Sequence, residues 1–260
     1  MELIWIGITA LLTSGLTLFS GFGLGTILMP VFALFFPIPL AIAATAVVHF
    51  ANNLFKFGLM AKQADWRVVA RFSVPAALAA FIGASLLTGF DRLPPLVEYR
   101  LAGATHEITV VNVLVGLLMI VFVGLELSPR IQTLAIPERF LPLGGALSGF
   151  FGGLSGHQGA LRSAFLLKAG LAKDAFVATG VVSAVIVDAS RLIVYGTGFL
   201  AEHFSQSREL MLPVTVGVLC AFAGAVIGKR LLQKATLHTV QRMVAGMMLL
   251  IGSGLITGLI

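Results

Sequence analysis

Three formal charges sit where apolar sequence leaves them no solvated connection: Arg162, Asp188 and Arg191. A charge placed in a bilayer costs roughly 2.5–3.5 kcal/mol on insertion scales, so such residues face a cavity or a partner. Arg162 follows Gly159 at the start of a short apolar arm. A helix N-terminus attracts anions through its free amides and dipole, and a guanidinium adds a planar fork that fits an oxyanion. The competing readings take Arg162 to the headgroups or pair it with Asp188. Asp188 and Arg191 stand three apart, so on one helix they share a face and can neutralise each other. In the functional reading Arg191 is a second anion contact tuned by Asp188.

Around these charges stand polar residues of the right types. His49, Asn52 and Asn53 cluster in one apolar segment, and His157 and Gln158 lie beside Gly159. A histidine can couple proton movement to transport, although in a membrane segment it also serves as a hydrogen-bonded structural residue. The two asparagines can line a path or join helices. Lys56 takes a place in the first half nearly matching that of the later charges, as a coupling or charge-pair residue. Its position near a helix end also suits a side chain reaching for the headgroups. Gly21, Gly23, Gly25, Gly152, Gly153, Gly156 and Gly159 let the backbone turn or approach a solute closely, with tight helix packing as the alternative.

The elements that must position these residues are membrane helices. Of 260 residues, 58% are hydrophobic and 11% charged, with a mean hydropathy of +1.02. A soluble domain carries about 25% charge, so this chain cannot clothe a water-facing surface. The net charge of +6 resides in short connections between apolar runs and does not point to nucleic acid. The single cysteine, Cys220, lies in an apolar run, which excludes a disulfide framework and a cysteine metal site. No basic n-region precedes the first apolar stretch, so it reads as part of the membrane domain, not as a cleaved signal.

The uncharged stretch from Leu3 to Phe55 would make about 80 Å of helix and must cross or re-enter more than once. Glycines at 21, 23 and 25 and prolines at 37 and 39 divide it. The predicted segments are 3–19, 24–36, 39–60, 68–90, 108–127, 140–154, 159–171, 175–199, 210–230 and 241–259. The arms 24–36 and 159–171 are short for a full span, and each follows a glycine cluster. Irregular backbone at membrane depth is tolerated only beside protein or a water-filled cavity, which directs attention to both clusters.

Basic residues set the orientation. Lys56, Lys62, Arg67, Arg71, Arg130, Arg139, Lys168, Lys173, Lys229, Arg230, Lys234 and Arg242 fall on one side by parity, against Arg92, Arg100 and Arg208 on the other. The richer side is cytoplasmic, so both termini face outward. The halves also resemble each other: Gly15, Gly25, Ala41, Ala44 and Thr45 recur in type as Gly149, Gly159, Ala175, Ala178 and Thr179, at a constant offset of 134. Pro75 and Gly83 have approximate counterparts in Pro213 and Gly224. With five segments per half the repeats are inverted, over 3–127 and 138–260 of a single transmembrane domain, 1–260. Interrupted helices in inverted repeats place a substrate near midplane. The expected fold is an all-α polytopic membrane protein with 8–10 membrane segments, some glycine-interrupted or re-entrant.

The motifs Ser20-Gly-Phe-Gly-Leu-Gly25 with Pro30, and Ser148-Gly-Phe-Phe-Gly-Gly-Leu-Ser-Gly-His-Gln-Gly159, resemble those of the TauE/SafE family of sulfite exporters. The resemblance extends over nearly the whole chain. It departs from the family at Ala164, opposite Pro30, and at His157, Gln158 and Arg162, where the family often has small residues. It implies a bacterial inner-membrane permease for sulfite or a related organosulfur anion, with the bilayer and a small anion as partners. The substrate-binding candidates are then Arg162, Arg191, His49, Asn52, Asn53, His157, Gln158, Gly159 and Gly25, with Asp188 and Lys56 as coupling or charge-pair residues.

No cofactor is implied, and no HExxH, paired Cys/His spacing or GxSxG occurs. The run Gly23 to Gly25 lacks the strand and βαβ setting of a dinucleotide fingerprint. A proton- or cation-linked carrier using His49 and Asp188 is the alternative within transport. An intramembrane enzyme using His49, His157 and Asp188 and a structural scaffold are the alternatives outside it.

Overall fold

A computed structural model describes residues 1–20, 23–101, 103–128, 136–167, 169–198, 201, 209–231 and 237–260, with backbone alone for 16–20, 126, 228–231 and 237–244. Gly21, Phe22, Arg130, Lys168, Arg208 and Lys234, used above, lie outside the described residues, as do the side chains of Lys229, Arg230 and Arg242.

The described chain is mostly helical: α1 (Glu2–Ser20), α2 (Leu24–Ala33), α3 (Ile38–Met60), α4 (Trp66–Asp91), α5 (Val110–Leu127), α6 (Leu141–Ser155), α7 (Gly159–Leu166), α8 (Lys173–Thr197), α9 (Met211–Leu231) and α10 (Leu237–Thr257). Each falls within a few residues of a predicted segment, because the local signals act where they stand. Asp65 caps α4, its carboxylate accepting the amides of Arg67 at 3.0 Å and Val68 at 3.1 Å. Thr109 caps α5 through the Asn112 amide. Gly156, at φ 82°, ends α6 in the left-handed region open to glycine. Gly23, at φ 127°, precedes α2.

The expectation of an all-helical chain needs one addition. A β hairpin, β1 (Val97–Leu101) with β2 (Ala104–Ile108), sits between α4 and α5. Tyr99 donates to the Thr257 carbonyl at 2.5 Å, and a His106 nitrogen lies 3.0 Å from the Gly258 carbonyl oxygen, so the hairpin grips the end of α10.

This is a multi-pass membrane protein. Among the described residues three helical stretches, Ile38–Gln63, Trp66–Asp91 and Lys173–Thr197, are long and apolar enough to cross a bilayer. Large apolar side chains such as Ile4, Trp5, Leu78, Ile82, Val121, Ile193, Leu219 and Leu250 are exposed on the outside, as a lipid-facing surface requires.

Inside, glycine sets the helix spacing. Gly145, Gly149 and Gly153 recur every four residues on α6, where an added Cβ would overlap the carbonyl oxygens of Phe72, Ala76 and Ala80 on α4. Such close approach maximises dispersion where lipid offers no hydrophobic drive for helices to associate. Gly224 makes the same kind of approach, from α9 onto the Leu11 carbonyl of α1. Gly116 of α5 and Gly252 of α10 face each other's carbonyls. Besides the pairs α4–α6, α1–α9 and α5–α10, α3 and α8 pack on each other, α8 packs on α4 and α3 on α9, with α2 against α3 and α7 against α6.

Candidate functional site

The two helix interruptions meet. A Cβ added to Gly25, in the first turn of α2, would stand 3.5 Å from the Gly156 carbonyl oxygen and 3.7 Å from His49 Cδ2. Two chain breaks 131 positions apart are thus brought together beside a histidine of α3. The first-turn amides of α7, on Gly159, Ala160 and Leu161, have no intrahelical acceptor by the geometry of a helix start. The Gln158 amide, just before the helix, donates to the Gly156 carbonyl at 3.1 Å.

Asp188 organises the charged groups. Its Oδ2 lies 2.6 Å from His49 Nδ1. Its Oδ1 accepts from Arg191 Nε at 3.0 Å, Arg191 Nη2 at 2.7 Å and Gln158 Nε2 at 2.9 Å. Arg191 Nη1 donates to the Gly152 carbonyl at 3.1 Å, fastening α8 to the end of α6. One turn further along α8, Tyr195 donates to the Gly153 carbonyl. Asp188 and Arg191 are both 0% exposed, so the i, i+3 pair expected from spacing forms within the protein interior.

Arg162 is held differently. It is buried at 4% exposure, and its Nη1 reaches Gln158 Oε1 at a long 3.4 Å. Its charge lies within electrostatic reach of Asp188 and Arg191. Lys56 is within reach of Arg162 and is 3% exposed, so it does not extend to the headgroups as its place near a helix end suggested.

Along α3, Thr45, His49, Asn52, Asn53 and Lys56 form a buried polar stripe at helical spacing. Asn53 donates to the His49 carbonyl at 2.9 Å. The Ser14 hydroxyl of α1 donates to Asn52 Oδ1 at 2.9 Å, while Asn52 Nδ2 is buried without a hydrogen-bond partner. Thr45 Oγ1 and His157 Nε2 are in the same condition. The His157 ring stacks on Phe122 of α5, with centroids 5.3 Å apart.

The structure therefore places His49, Asn53, Gln158, Asp188, Arg191 and Arg162 in one linked network, with Gly25 against it. Asn52 and Lys56 are buried on α3 beside His49, and His157 is buried in the break between α6 and α7. Sequence reasoning gave no site role to Ser14, Thr45, Phe122, Tyr195 or Ser148, whose hydroxyl donates to the Gln158 carbonyl at 2.9 Å. Thr45 lies in the repeated Ala-rich motif, and Ser148 opens the second glycine motif. Among the described residues no three His, Cys, Asp or Glu side chains are grouped to hold a metal. A cavity of about 210 Å³ lies elsewhere, lined by Phe36, Pro37, Phe90, Asp91, Asn112 and Ile260 among others, and none of the predicted site residues lines it.

A family model described as sulfite exporter TauE/SafE matches residues 6–255. No curated protein and no solved structure matches the chain.

Proposed function

The chain belongs to the TauE/SafE family of sulfite exporters, a transporter family, and from that premise we propose that it exports sulfite or a related organosulfur anion by alternating access. The observation that carries this reading is a charge imbalance. Among the described residues the buried side chains include one carboxylate, Asp188, and three strongly basic groups, Lys56, Arg162 and Arg191. Basic groups gathered in a low-dielectric interior focus positive potential there and attract an anion. The first-turn amides of α7 add further donors. Arg162 and Arg191 are the anion contacts of this reading, with His49, Asn52, Asn53, His157 and Gln158 as polar neighbours and Asp188 holding Arg191 in place.

Inverted repeats over 3–127 and 138–260 are part of the proposal, and the packing supports them. Exchanging α1 with α6, α2 with α7, α3 with α8, α4 with α9 and α5 with α10 carries the α4–α6 pair onto α9–α1. The same exchange carries α4–α8 onto α9–α3 and returns α3–α8 and α5–α10 to themselves. At eight residues α7 is about 12 Å long, against a hydrocarbon core of about 30 Å. Its pairing with α6 suits a re-entrant hairpin. Rocking one half against the other about the meeting point of the interruptions would open the site to each side in turn.

The test is sulfite efflux from loaded proteoliposomes, wild type against Arg162→Gln. Sulfite-selective flux that the variant loses supports both the anion and the site. Folded wild-type protein with no flux above empty liposomes would remove sulfite as the substrate.

A further inference from the structure

His157 offers a hydrogen-bond acceptor that the protein does not use. The Ser155 hydroxyl has one proton and donates it to the Phe151 carbonyl at 3.1 Å. Its oxygen, 3.1 Å from His157 Nδ1, must then accept, which puts the imidazole proton on Nδ1. In the neutral ring Nε2 is left with a lone pair. That atom is buried and without a partner, on a side chain 2% exposed whose plane is fixed by stacking on Phe122. His157 stands in the break between α6 and α7, within electrostatic reach of Arg191. Its neighbour on one side, Gly156, lies against Arg191, and its neighbour on the other, Gln158, binds Asp188.

A fully deprotonated oxyanion has only acceptors to offer. It can accept from a guanidinium N–H, but beside His157 it sets a lone pair against the Nε2 lone pair and leaves that nitrogen unsatisfied, at a cost of about 1–3 kcal/mol. An acid anion that keeps one O–H satisfies both kinds of group. Building on the export reading above, we propose that the site selects the monoprotonated form of its anion, hydrogensulfite over sulfite dianion, with His157 Nε2 accepting the O–H. Each anion carried then takes one negative charge and one proton with it.

Counterflow of radiolabelled sulfite into proteoliposomes tests this, with methanesulfinate as competitor. Methanesulfinate matches hydrogensulfite in charge and pyramidal shape but has a methyl group in place of the hydroxyl. Wild type should favour sulfite over methanesulfinate by about tenfold or more. The half-saturating total sulfite should rise as pH passes through the second ionisation of sulfurous acid. His157→Phe, which keeps the stack on Phe122, should bring the two competitors close to parity, and His157→Gln, whose amide oxygen can accept, should restore the preference. Equal competition in wild type overturns the proposal even if His157→Phe fails to fold. So does an unchanged ratio in a folded His157→Phe protein. Absence of any sulfite counterflow by folded wild type would instead overturn the export reading itself, and this proposal with it.

Discussion

His49 Nδ1 stands 2.6 Å from Asp188 Oδ2, joining α3 to α8 across 139 positions of sequence. The other oxygen of that carboxylate is taken by Arg191 and Gln158, so Asp188 is saturated by the protein and acts as a fastening. Asp188→Asn would leave Arg191 without its counter-charge in the interior, where breaking a buried pair costs about 3–5 kcal/mol. The expected outcome is a clearly lowered melting temperature for the detergent-solubilised protein. A double substitution with His49→Gln should cost less than the sum of the two singles, because the residues are in contact. A melting temperature equal to wild type would remove Asp188 from this role.

Arg162 and Arg191 should separate when neutralised. Arg191 is tied by bonds to Asp188 and to the Gly152 carbonyl, whereas the hydrogen bond from Arg162 to Gln158 is 3.4 Å long. Arg191→Gln should therefore lower both thermal stability and flux. Arg162→Gln should lower melting less than Arg191→Gln does, while raising the half-saturating anion concentration by about tenfold or more, the worth of a charge-assisted hydrogen bond. Equal loss of stability in the two variants would make Arg162 a structural residue.

That contrast shows how far the site could be read from sequence. Arg162, Asp188 and Arg191 stand out because a charge in an apolar run is costly wherever it sits, and that cost is local. The bond from His49 to Asp188 is not local, and no spacing rule links α3 to α8. Ser14 and Tyr195 escaped because a hydroxyl costs so little in an apolar segment that it carries no warning. The helices were legible because apolar runs and glycine or proline breaks act on their own neighbours. The hairpin was legible in part: Val97-Glu98-Tyr99-Arg100-Leu101 alternates apolar and charged residues as a strand does. A strand of five residues between two long helices is too short to stand out from a connection.

The glycine stripe on α6 leads to a stability test. Gly149→Ala would drive a methyl group into the Ala76 carbonyl oxygen, and overpacking of this kind costs about 1–3 kcal/mol. Gly246 of α10 has no heavy atom near its absent side chain, so Gly246→Ala should be neutral or raise stability by up to about 1 kcal/mol through helix propensity. Thermal unfolding of both variants in the same detergent checks the pair. A Gly149→Ala protein as stable as Gly246→Ala would mean that α4 and α6 are not packed backbone to backbone.

Orientation can be fixed with two engineered cysteines on a Cys220→Ser background. Tyr99 and His106 hold the hairpin against Thr257 and Gly258, so a label on the hairpin reports the side of both the hairpin and the end of α10. Glu98 is exposed on that hairpin, and Lys62 is exposed in the turn between α3 and α4. The excess of basic residues flanking that turn predicts that it faces the cytoplasm. Glu98→Cys should react with a membrane-impermeant maleimide on intact cells, and Lys62→Cys only after the cells are opened. Labelling of both from outside would break the odd number of crossings between these positions that inverted repeats need. The reverse pattern would keep the repeats, turn the molecule over in the membrane, and put the Lys56 end of α3 at the outer face.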